Sequence, residues 1–408
     1  MRLPLWAMVA TAVTVGFEPG SAQEVPDDAA SAPLWERDTL TDGWFGLGGW
    51  IEEHGLSLGF GLTQVYQASP AGGAVASDGA DDLAGSYDLE LGLDTGALLG
   101  LAGGQVYALV EGGWSEGLDP RSVGSLFGIN TDALGDHRGQ LAEVWYEQAL
   151  LDDRVRLRLG RLDLTTGFEC RGFPAAFDGS AFANDETSQF LNGGLVNNPA
   201  IPFPDRGPGV ALHLQPASWW YATAGLARVE VDDDRHEPFG ILETGVAPVL
   251  TTTGCRRPGA YRVGVWYDPQ PKPLLAGHES GSDLGLYLAF DQMVLPEVEA
   301  QGLGLFGRIG LADGDAYPIH GFWSLGAQWQ GMIPGRDEDV LALGLAHGRL
   351  SRAAGFQAPH ESVVEFHGRI QLSPWLSLTP SFQYVLNPGG ANDAQAPLVG
   401  GLRIQVAF

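Results

Sequence analysis

The sequence ends with LRIQVAF, residues Leu402–Phe408, in which apolar side chains alternate with other types. Successive side chains of an extended strand point to opposite faces, so this segment has one apolar face and one more polar face. The apolar face carries Leu402, Ile404, Val406 and Phe408. The same alternation recurs in VVEFHGRIQL (residues 363–372), DLGLYLAFD (residues 283–291) and WSLGAQWQ (residues 323–330). The chain is therefore predicted to be built from two-faced strands.

The polar faces indicate what kind of sheet the strands form. They carry arginine, glutamine, glycine and aromatic residues, and the only lysine of the chain is Lys272. A soluble sandwich would present a face rich in lysine and glutamate to water, whereas these residues suit a narrow, structured interior. Alternating segments of about 10 residues, joined in turn by short and long connections, are typical of outer-membrane barrels. The predicted fold class is all-β, a transmembrane antiparallel up-and-down β-barrel.

The pattern predicts sixteen strands. An even number returns the C-terminus to the periplasmic side from which the barrel starts, and on that ground the weak segment FGILETGVAPVL is counted as a strand. A barrel of sixteen strands encloses a channel that side chains alone do not fill. The predicted strands lie near residues 55–67, 85–96, 104–115, 139–150, 154–162, 207–216, 219–230, 238–250, 259–269, 283–294, 301–312, 320–332, 339–350, 361–371, 376–387 and 397–408.

The N-terminal residues predict export. An arginine, a short apolar run and small residues follow one another in MRLPLWAMVATAVTVGFEPGSAQ, which predicts a signal peptide over residues 1–22. The apolar run, at about 15 residues, is too short for a membrane anchor, which needs about 20. Residues 23–54 are predicted to form a tail and a short periplasmic helix within DGWFGLGGWIEEHG, and residues 55–408 the barrel domain.

Composition excludes one class of partner and leaves two questions open. The chain has a formal charge of −28, whereas binding of nucleic acid requires a basic surface, so nucleic acid is excluded as a partner. Acidic runs such as DDDRHE (residues 232–237) are read as solvated loops, with a weak divalent-cation site as the alternative. Cys170 and Cys255 are the only cysteines, and in an oxidising compartment they either pair or stay free. No cofactor, resident metal or catalytic residue is predicted.

One connection is far longer than the others. Residues 163–206 include AFDGSAFANDETSQFLNG (residues 176–193), which shows neither helical nor strand periodicity but contains three phenylalanines. A connection this long is usually functional or disordered, and its apolar content argues against disorder. We expect it to fold inward and narrow the pore. Phe177, Phe182 and Phe190 are interpreted as packing anchors of the loop, with aromatic platforms for a solute as the alternative.

Several segments resemble the carbohydrate-selective porin family of bacterial outer membranes. They are GRLDLTTGFE, AFDGSAFANDETSQF, NNPAIPFP, GAYRVGVWYD, MIPGRDEDVLALGLA, WLSLTPSFQYVLNPGG and GLRIQVAF, with DGWFGLGGWIEEHGLSL leading into the first strand. The resemblance implies a sixteen-stranded porin in the outer membrane of a Gram-negative-type bacterium, passing monosaccharides and small carbohydrates passively. The partners expected are these sugars, outer-membrane lipid with lipopolysaccharide, and the barrel assembly machinery. Either a monomer or a homotrimer is compatible with this expectation.

Sugar selectivity requires forked donors, carboxylate acceptors and aromatic faces in the lumen. By parity, Arg154, Arg156 and Arg158 face inward on the fifth strand, opposite Glu143, Trp145 and Glu147 on the fourth. These charges either contact solute or merely stabilise the wall as cross-strand ion pairs. Other inward positions are Arg262, Trp266, Tyr287, Asp291, Arg308, Glu365, Arg369 and Arg403, and the polar candidates of the long loop are Arg171, Asp178, Asp185 and Glu186.

Two further classes of protein are kept open. A secreted β-rich glycoside hydrolase also uses paired carboxylates and aromatics, and a structural barrel need not transport anything. The outward faces count against the hydrolase, because a soluble enzyme has no reason to expose an alternating apolar set. Trp323 and Trp329 lie on the outward parity near opposite ends of one strand, as the two aromatic girdles of a membrane barrel would.

Overall fold

In the computed structural model of the protein, residues 33–76, 78–168, 190–232, 235–252, 255–270, 272–273, 279–280, 283–297 and 301–408 are described. Sixteen long strands in this part of the chain each pair antiparallel with the next, and the last pairs with the first. The predicted sixteen-stranded closed barrel is confirmed. The strands are β1 (Leu56–Ala71), β2 (Asp78–Asp94), β3 (Gly104–Trp114), β4 (His137–Leu150), β5 (Val155–Leu162), β6 (Gly207–Ala217), β7 (Trp220–Asp232), β8 (Arg235–Val246), β9 (Cys255–Asp268), β10 (Asp283–Pro296), β11 (Gly302–Leu311), β12 (Ile319–Gln330), β13 (Val340–Leu350), β14 (His360–Ser373), β15 (Leu376–Leu386) and β16 (Leu398–Ala407).

Several boundaries differ from the sequence-based prediction. β1 and β2 extend to the pair Ala71 and Asp78, because cross-strand pairing continues through an acidic stretch that lacks alternation. β8 ends at Val246, and Val249–Thr252 forms a separate hairpin with the beginning of β9. The placement of Arg154 on the interior face was wrong: it lies exposed in the turn before β5, where its backbone carbonyl accepts from Gln215 N.

The two faces of the wall differ as the alternation predicts. On β13 the outward Leu343 and Leu345 are 48% and 39% exposed. Their interior neighbours on the same strand are small and buried: Ala342, Gly344, Ala346 and Gly348. The predicted girdle tryptophans both lie on the outward face, Trp323 exposed and Trp329 half-buried. The barrel thus has an apolar belt on its outer face, and the small interior residues of β13 leave room in the lumen.

The N-terminal segment lies against the rim of short turns. It contains a 3-10 turn (Leu34–Glu36) and two short helical segments, α1 (Asp42–Phe45) and α2 (Gly48–Glu53), and α2 corresponds to the predicted short helix. Trp35 stacks on Trp375 with ring centroids 5.6 Å apart, and Trp375 Nε1 donates to the Leu34 carbonyl at 2.8 Å. These contacts tie the described N-terminal segment to the rim at which β15 begins. In the described ranges, no helix has the length and apolar character needed to cross a membrane.

Two long connections fold into the barrel and supply its core. The first joins β3 to β4 (residues 115–136); the second joins β5 to β6 and contains the short helix Gly193–Val196. Their apolar side chains pack on the interior of β7–β16 in two buried clusters. A Cβ on Gly344 would lie 2.7 Å from Leu195 Cδ2, and one on Gly348 would lie 2.9 Å from Phe127 Cε1. The small residues inside β13 therefore make the room that the loops occupy.

Candidate functional site

Two buried carboxylates on the interior of β14 hold the connections in place. Glu365 Oε1 accepts from Leu191 N and its Oε2 from Asn192 N, both at 2.8 Å. Glu361 accepts from Leu126 N at 3.0 Å and Phe127 N at 3.3 Å, from Ser125 Oγ at 2.6 Å, and from Gly389 N of the β15–β16 connection at 2.7 Å. Both glutamates are 0% exposed. Charge-assisted bonds of this kind are stronger than neutral ones, so they fix both loops on one strand.

The two connections are also bonded to each other. Thr131 N donates to the Leu191 carbonyl at 2.9 Å, and Gly193 N donates to the Gly128 carbonyl at 3.0 Å. A Cβ at Gly193 would lie 2.2 Å from the Phe127 carbonyl oxygen, so the approach requires glycine here. The pair of connections, here called the constriction loops (residues 115–136 and the described part of 163–206), forms one unit inside the lumen.

The predicted arginine face of β5 is present and paired. Glu147 on β4 lies 3.1 Å from Arg156 Nη1 and 2.9 Å from Arg158 Nη2. Arg156, Arg158 and Glu147 are 8%, 7% and 2% exposed. One carboxylate therefore pairs with two guanidinium groups in a largely desolvated part of the wall. Removing any member of this ion-pair group destabilises the barrel, because it leaves an uncompensated buried charge.

An aromatic surface adjoins this ion-pair group. The Arg158 guanidinium lies 3.7 Å from the centroid of the Trp145 ring, a cation–π contact. On the other side Tyr107 stacks on Trp145 at 4.8 Å, and Tyr107 Oη donates to Glu90 Oε2 at 2.9 Å. Trp145 Nε1 donates to Glu143 Oε2 at 3.2 Å. Tyr107 is half-buried, so the interior wall of β2–β5 offers an aromatic ring edged by carboxylates.

The base of the longer constriction loop is closed by an ion-pair bridge. Arg206 Nε donates to Asp163 Oδ2 at 2.8 Å, which joins the last residue before β6 to the first residue after β5. Arg206 Nη2 also donates to Glu111 Oε1 of β3 at 2.9 Å. The Arg206 side chain is 32% exposed. It is therefore better placed to meet a solute than the more deeply buried Arg156 and Arg158.

The remaining predicted residues divide into two groups. Those on β9–β16 are buried on the interior face, where Arg262 Nη1 lies 2.8 Å from Asp291 Oδ2 and Arg308 Nη1 donates to the Leu195 carbonyl at 2.6 Å. Buried interior positions on these strands also include Trp266, Tyr287, Glu365, Arg369 and Arg403. Arg171, Asp178, Asp185 and Glu186 lie outside the described residues, as do Cys170, Phe177 and Phe182. The Cys170–Cys255 pairing consequently stays open.

Sequence reasoning missed the shorter constriction loop and its anchor. Residues 115–136 carry Leu118, Val123, Phe127 and Ile129, all 9% exposed or less, among glycines and turn residues. That mixture of apolar residues without periodicity is the signal that had marked the longer loop. It also missed the Glu111, Asp163 and Arg206 bridge. Within the described ranges, no group of three His, Cys, Asp or Glu side chains could hold a metal ion.

Comparison with known proteins identifies the family. Residues 80–408 match the family model described as carbohydrate-selective porin, OprB family. The chain belongs to this family. It is an outer-membrane porin whose family and fold are those of a channel.

The alignments of this OprB-family chain with curated relatives cover only part of each protein. It is 22% identical to Porin B of Pseudomonas aeruginosa over 66% of this chain and 69% of that protein. It is 23% identical to Porin AaxA of Chlamydia pneumoniae over 74% of this chain and 66% of that protein. The chain thus spans about two thirds of these curated relatives.

Solved structures agree in fold. The high-pH structure of Pseudomonas putida OprB has a TM-score of 0.77 at 16% identity, covering 91% of this chain and 99% of that one. The low-pH structure of the same protein has a TM-score of 0.59 at 14% identity with the same coverage. At these identities the likeness establishes the barrel architecture alone.

Proposed function

We propose that this porin lets monosaccharides and other small carbohydrates diffuse passively through a lumen narrowed by the two constriction loops, and that it catalyses no reaction. The observation that carries the proposal is the fixation of both loops on Glu361 and Glu365 of β14. The apolar side chains of the loops pack on the interior of β7–β16, and we therefore place the solute path along the polar wall of β2–β5. The family description, a carbohydrate-selective porin, names the solute class.

The wall of β2–β5 suits a sugar ring. Tyr107 supplies an aromatic face for the apolar CH side of a pyranose, while Glu90 and Glu111 supply acceptors for hydroxyl groups. Arg206, whose fork is engaged by Glu111, supplies its remaining N–H groups as single donors on a partly exposed side chain. Arg156 and Arg158 act behind this surface by holding Trp145 and Glu147 in position. Residues 169–189, with Arg171, Asp178, Asp185 and Glu186, are proposed to complete the constriction.

Liposome swelling tests the proposal. Reconstituted porin should admit glucose faster than a disaccharide, and Tyr107→Ala should slow glucose more than it slows glycerol, which has no ring to stack. Tyr107→Phe keeps the ring and removes the bond to Glu90, and it separates stacking from hydrogen bonding. Tyr384→Ala is the matched control, because Tyr384 lies on the outward face and is 43% exposed. Equal effects of the Tyr107 and Tyr384 substitutions would contradict a solute path along β3.

The proposal also includes contacts with outer-membrane lipid and with the barrel assembly machinery. The apolar belt would contact outer-membrane lipid, including lipopolysaccharide on the side of the long loops, and the assembly machinery would recognise the C-terminal strand. Residues 1–22 are proposed as the signal peptide that directs export. Chemical cross-linking in detergent distinguishes the two proposed assembly states, a monomer and a homotrimer.

A further inference from the structure

The outer face of the barrel carries a basic and aromatic cluster at one place near the long-loop rim. Arg349 on β13 lies directly opposite His360 on β14 in the strand register. The His347 ring lies 5.0 Å from that of His360 and stacks at 5.5 Å on Trp323 of β12. Trp323, His347, Arg349 and His360, here called the rim cluster, occupy three adjacent strands. In a chain of formal charge −28 such a cluster does not follow from bulk composition.

The cation of the rim cluster has no acidic partner in the part of the chain that the structure describes. No carboxylate there lies within ion-pairing distance of Arg349, which is exposed and crosses over Gly321, whose added Cβ would be 3.4 Å from Arg349 Cδ. The histidines are oriented by their neighbours: a hydrogen bond of 2.8 Å joins His347 Nδ1 and Ser362 Oγ, and Asn387 Nδ2 lies 3.2 Å from His360 Nε2. The cluster therefore offers a guanidinium fork and oriented imidazole nitrogens at one point of the surface.

An apolar track leads from the rim cluster toward the middle of the wall. Leu325, Leu343, Leu345 and Phe366 of the same three strands are 47%, 48%, 39% and 45% exposed. Leu325 pairs with Leu345, and Leu343 pairs with Phe366, so the track is continuous. A ligand that matches both parts has an anionic head and hydrocarbon chains. Both described termini lie at the opposite rim, which places the rim cluster at the outer leaflet of an outer-membrane porin.

We propose that the rim cluster binds the phosphate group of an acylated, phosphorylated glycolipid of the outer leaflet, with its acyl chains on the apolar track. Arginine donates two parallel N–H groups to phosphate oxygens, and the imidazoles add single donors. The inference deepens the proposed contact with lipopolysaccharide by naming the site, and it does not depend on which solute the pore admits.

Native mass spectrometry of the detergent-purified porin tests this site with lipid A as the probe. Arg349→Ala should weaken binding of lipid A by about tenfold, the loss expected for one charge-assisted contact of about 1.4 kcal/mol. Arg228→Ala is the matched control: Arg228 is exposed on the outer face of β7 near the same rim and stands opposite Pro238 rather than a histidine. Its affinity for lipid A should stay that of the wild type.

Two further measurements distinguish a lipid-bound phosphate from free phosphate as the ligand. Dephosphorylated lipid A should bind the wild type as weakly as lipid A binds Arg349→Ala, and inorganic phosphate at the same concentration should not displace the lipid. Equal affinities of the Arg349 and Arg228 variants, wild-type affinity for the dephosphorylated lipid, or displacement by inorganic phosphate would each overturn the proposal. Swelling rates measured on the same preparations report the pore separately, and unchanged rates in Arg349→Ala show that the barrel is intact.

Discussion

Glu361 and Glu365 lie four residues apart on the interior face of β14, and each carboxylate receives backbone N–H groups from a different constriction loop. The amide nitrogens of residues 126–127 converge on the first, and those of residues 191–192 converge on the second. A single strand thus sets the position of both loops, and with it the width of the pore.

Replacing Glu365 by glutamine should widen the pore. The amide keeps one acceptor oxygen but presents its NH2 group to the other backbone donor, and the lost bond to a charged acceptor costs about 1.5–3 kcal/mol. Single-channel conductance in planar bilayers should rise, and the longer loop should become more sensitive to protease. Glu53→Gln is the control, since Glu53 is exposed on α2. Wild-type conductance and protease resistance would show that other contacts hold the loop.

The double variant Arg156→Ala/Arg158→Ala should make the pore more cation-preferring and slow sugar uptake. It leaves Glu147 buried without its two guanidinium partners, a change expected to cost about 3–5 kcal/mol of barrel stability. Reversal potential, swelling and heat-modifiable gel mobility report these effects. Arg154→Ala removes one charge from the neighbouring exposed turn as a control.

A triple variant separates the two roles of this ion-pair group. Adding Glu147→Gln to the double variant removes the unpaired charge and should restore stability while sugar uptake stays slow. If sugar uptake recovers together with stability, the arginines only support the wall, and selectivity lies elsewhere in the lumen.

Packing of the shorter constriction loop should weaken as pH rises. Burial raises the pKa of Asp119 from 3.8 to about 6, although Ser125 N donates to its Oδ1 at 2.9 Å. The packed loop holds this proton more tightly than a displaced loop would, so protonation of Asp119 stabilises the packed loop. This stabilisation is complete below pH 3.8 and is lost by pH 6 or slightly above. The protection factors of the amides of residues 118–130, which are exchange rates corrected for the intrinsic pH dependence of exchange, should be larger at pH 4.5 than at pH 7.5. Asp119→Asn should abolish that difference, and a difference that persists would assign it to another group.

Deleting Phe408 should impair assembly. The Phe408 ring lies 5.0 Å from that of Phe60, and Phe408 N donates to the Phe60 carbonyl at 3.0 Å. Phe60→Ala removes the same ring contact but leaves the terminal residue in place. If the assembly machinery reads the terminus, the deletion should lower the yield of heat-modifiable barrel in the outer membrane more than Phe60→Ala does. Equal yields would reduce the role of Phe408 to packing.

Residue alternation was sufficient to place Arg156, Arg158 and Glu147 on one interior surface, because a strand turns every second side chain to the same face. It did not reveal that Glu365 serves the loop. An interior carboxylate looks the same in sequence whether it meets solute or backbone N–H groups, and only the path of residues 190–192 distinguishes the two. The loops themselves lack periodicity, so their course depends on the small residues inside β13, which lie more than a hundred positions further along the chain.

The bonds from Thr131 to Leu191 and from Gly193 to Gly128 make the two constriction loops mechanically dependent on each other. Neither can leave the lumen wall without breaking hydrogen bonds to the other, so their displacement is concerted rather than independent. Current through one barrel should accordingly jump between two levels in an all-or-none manner, with no stable level of intermediate height.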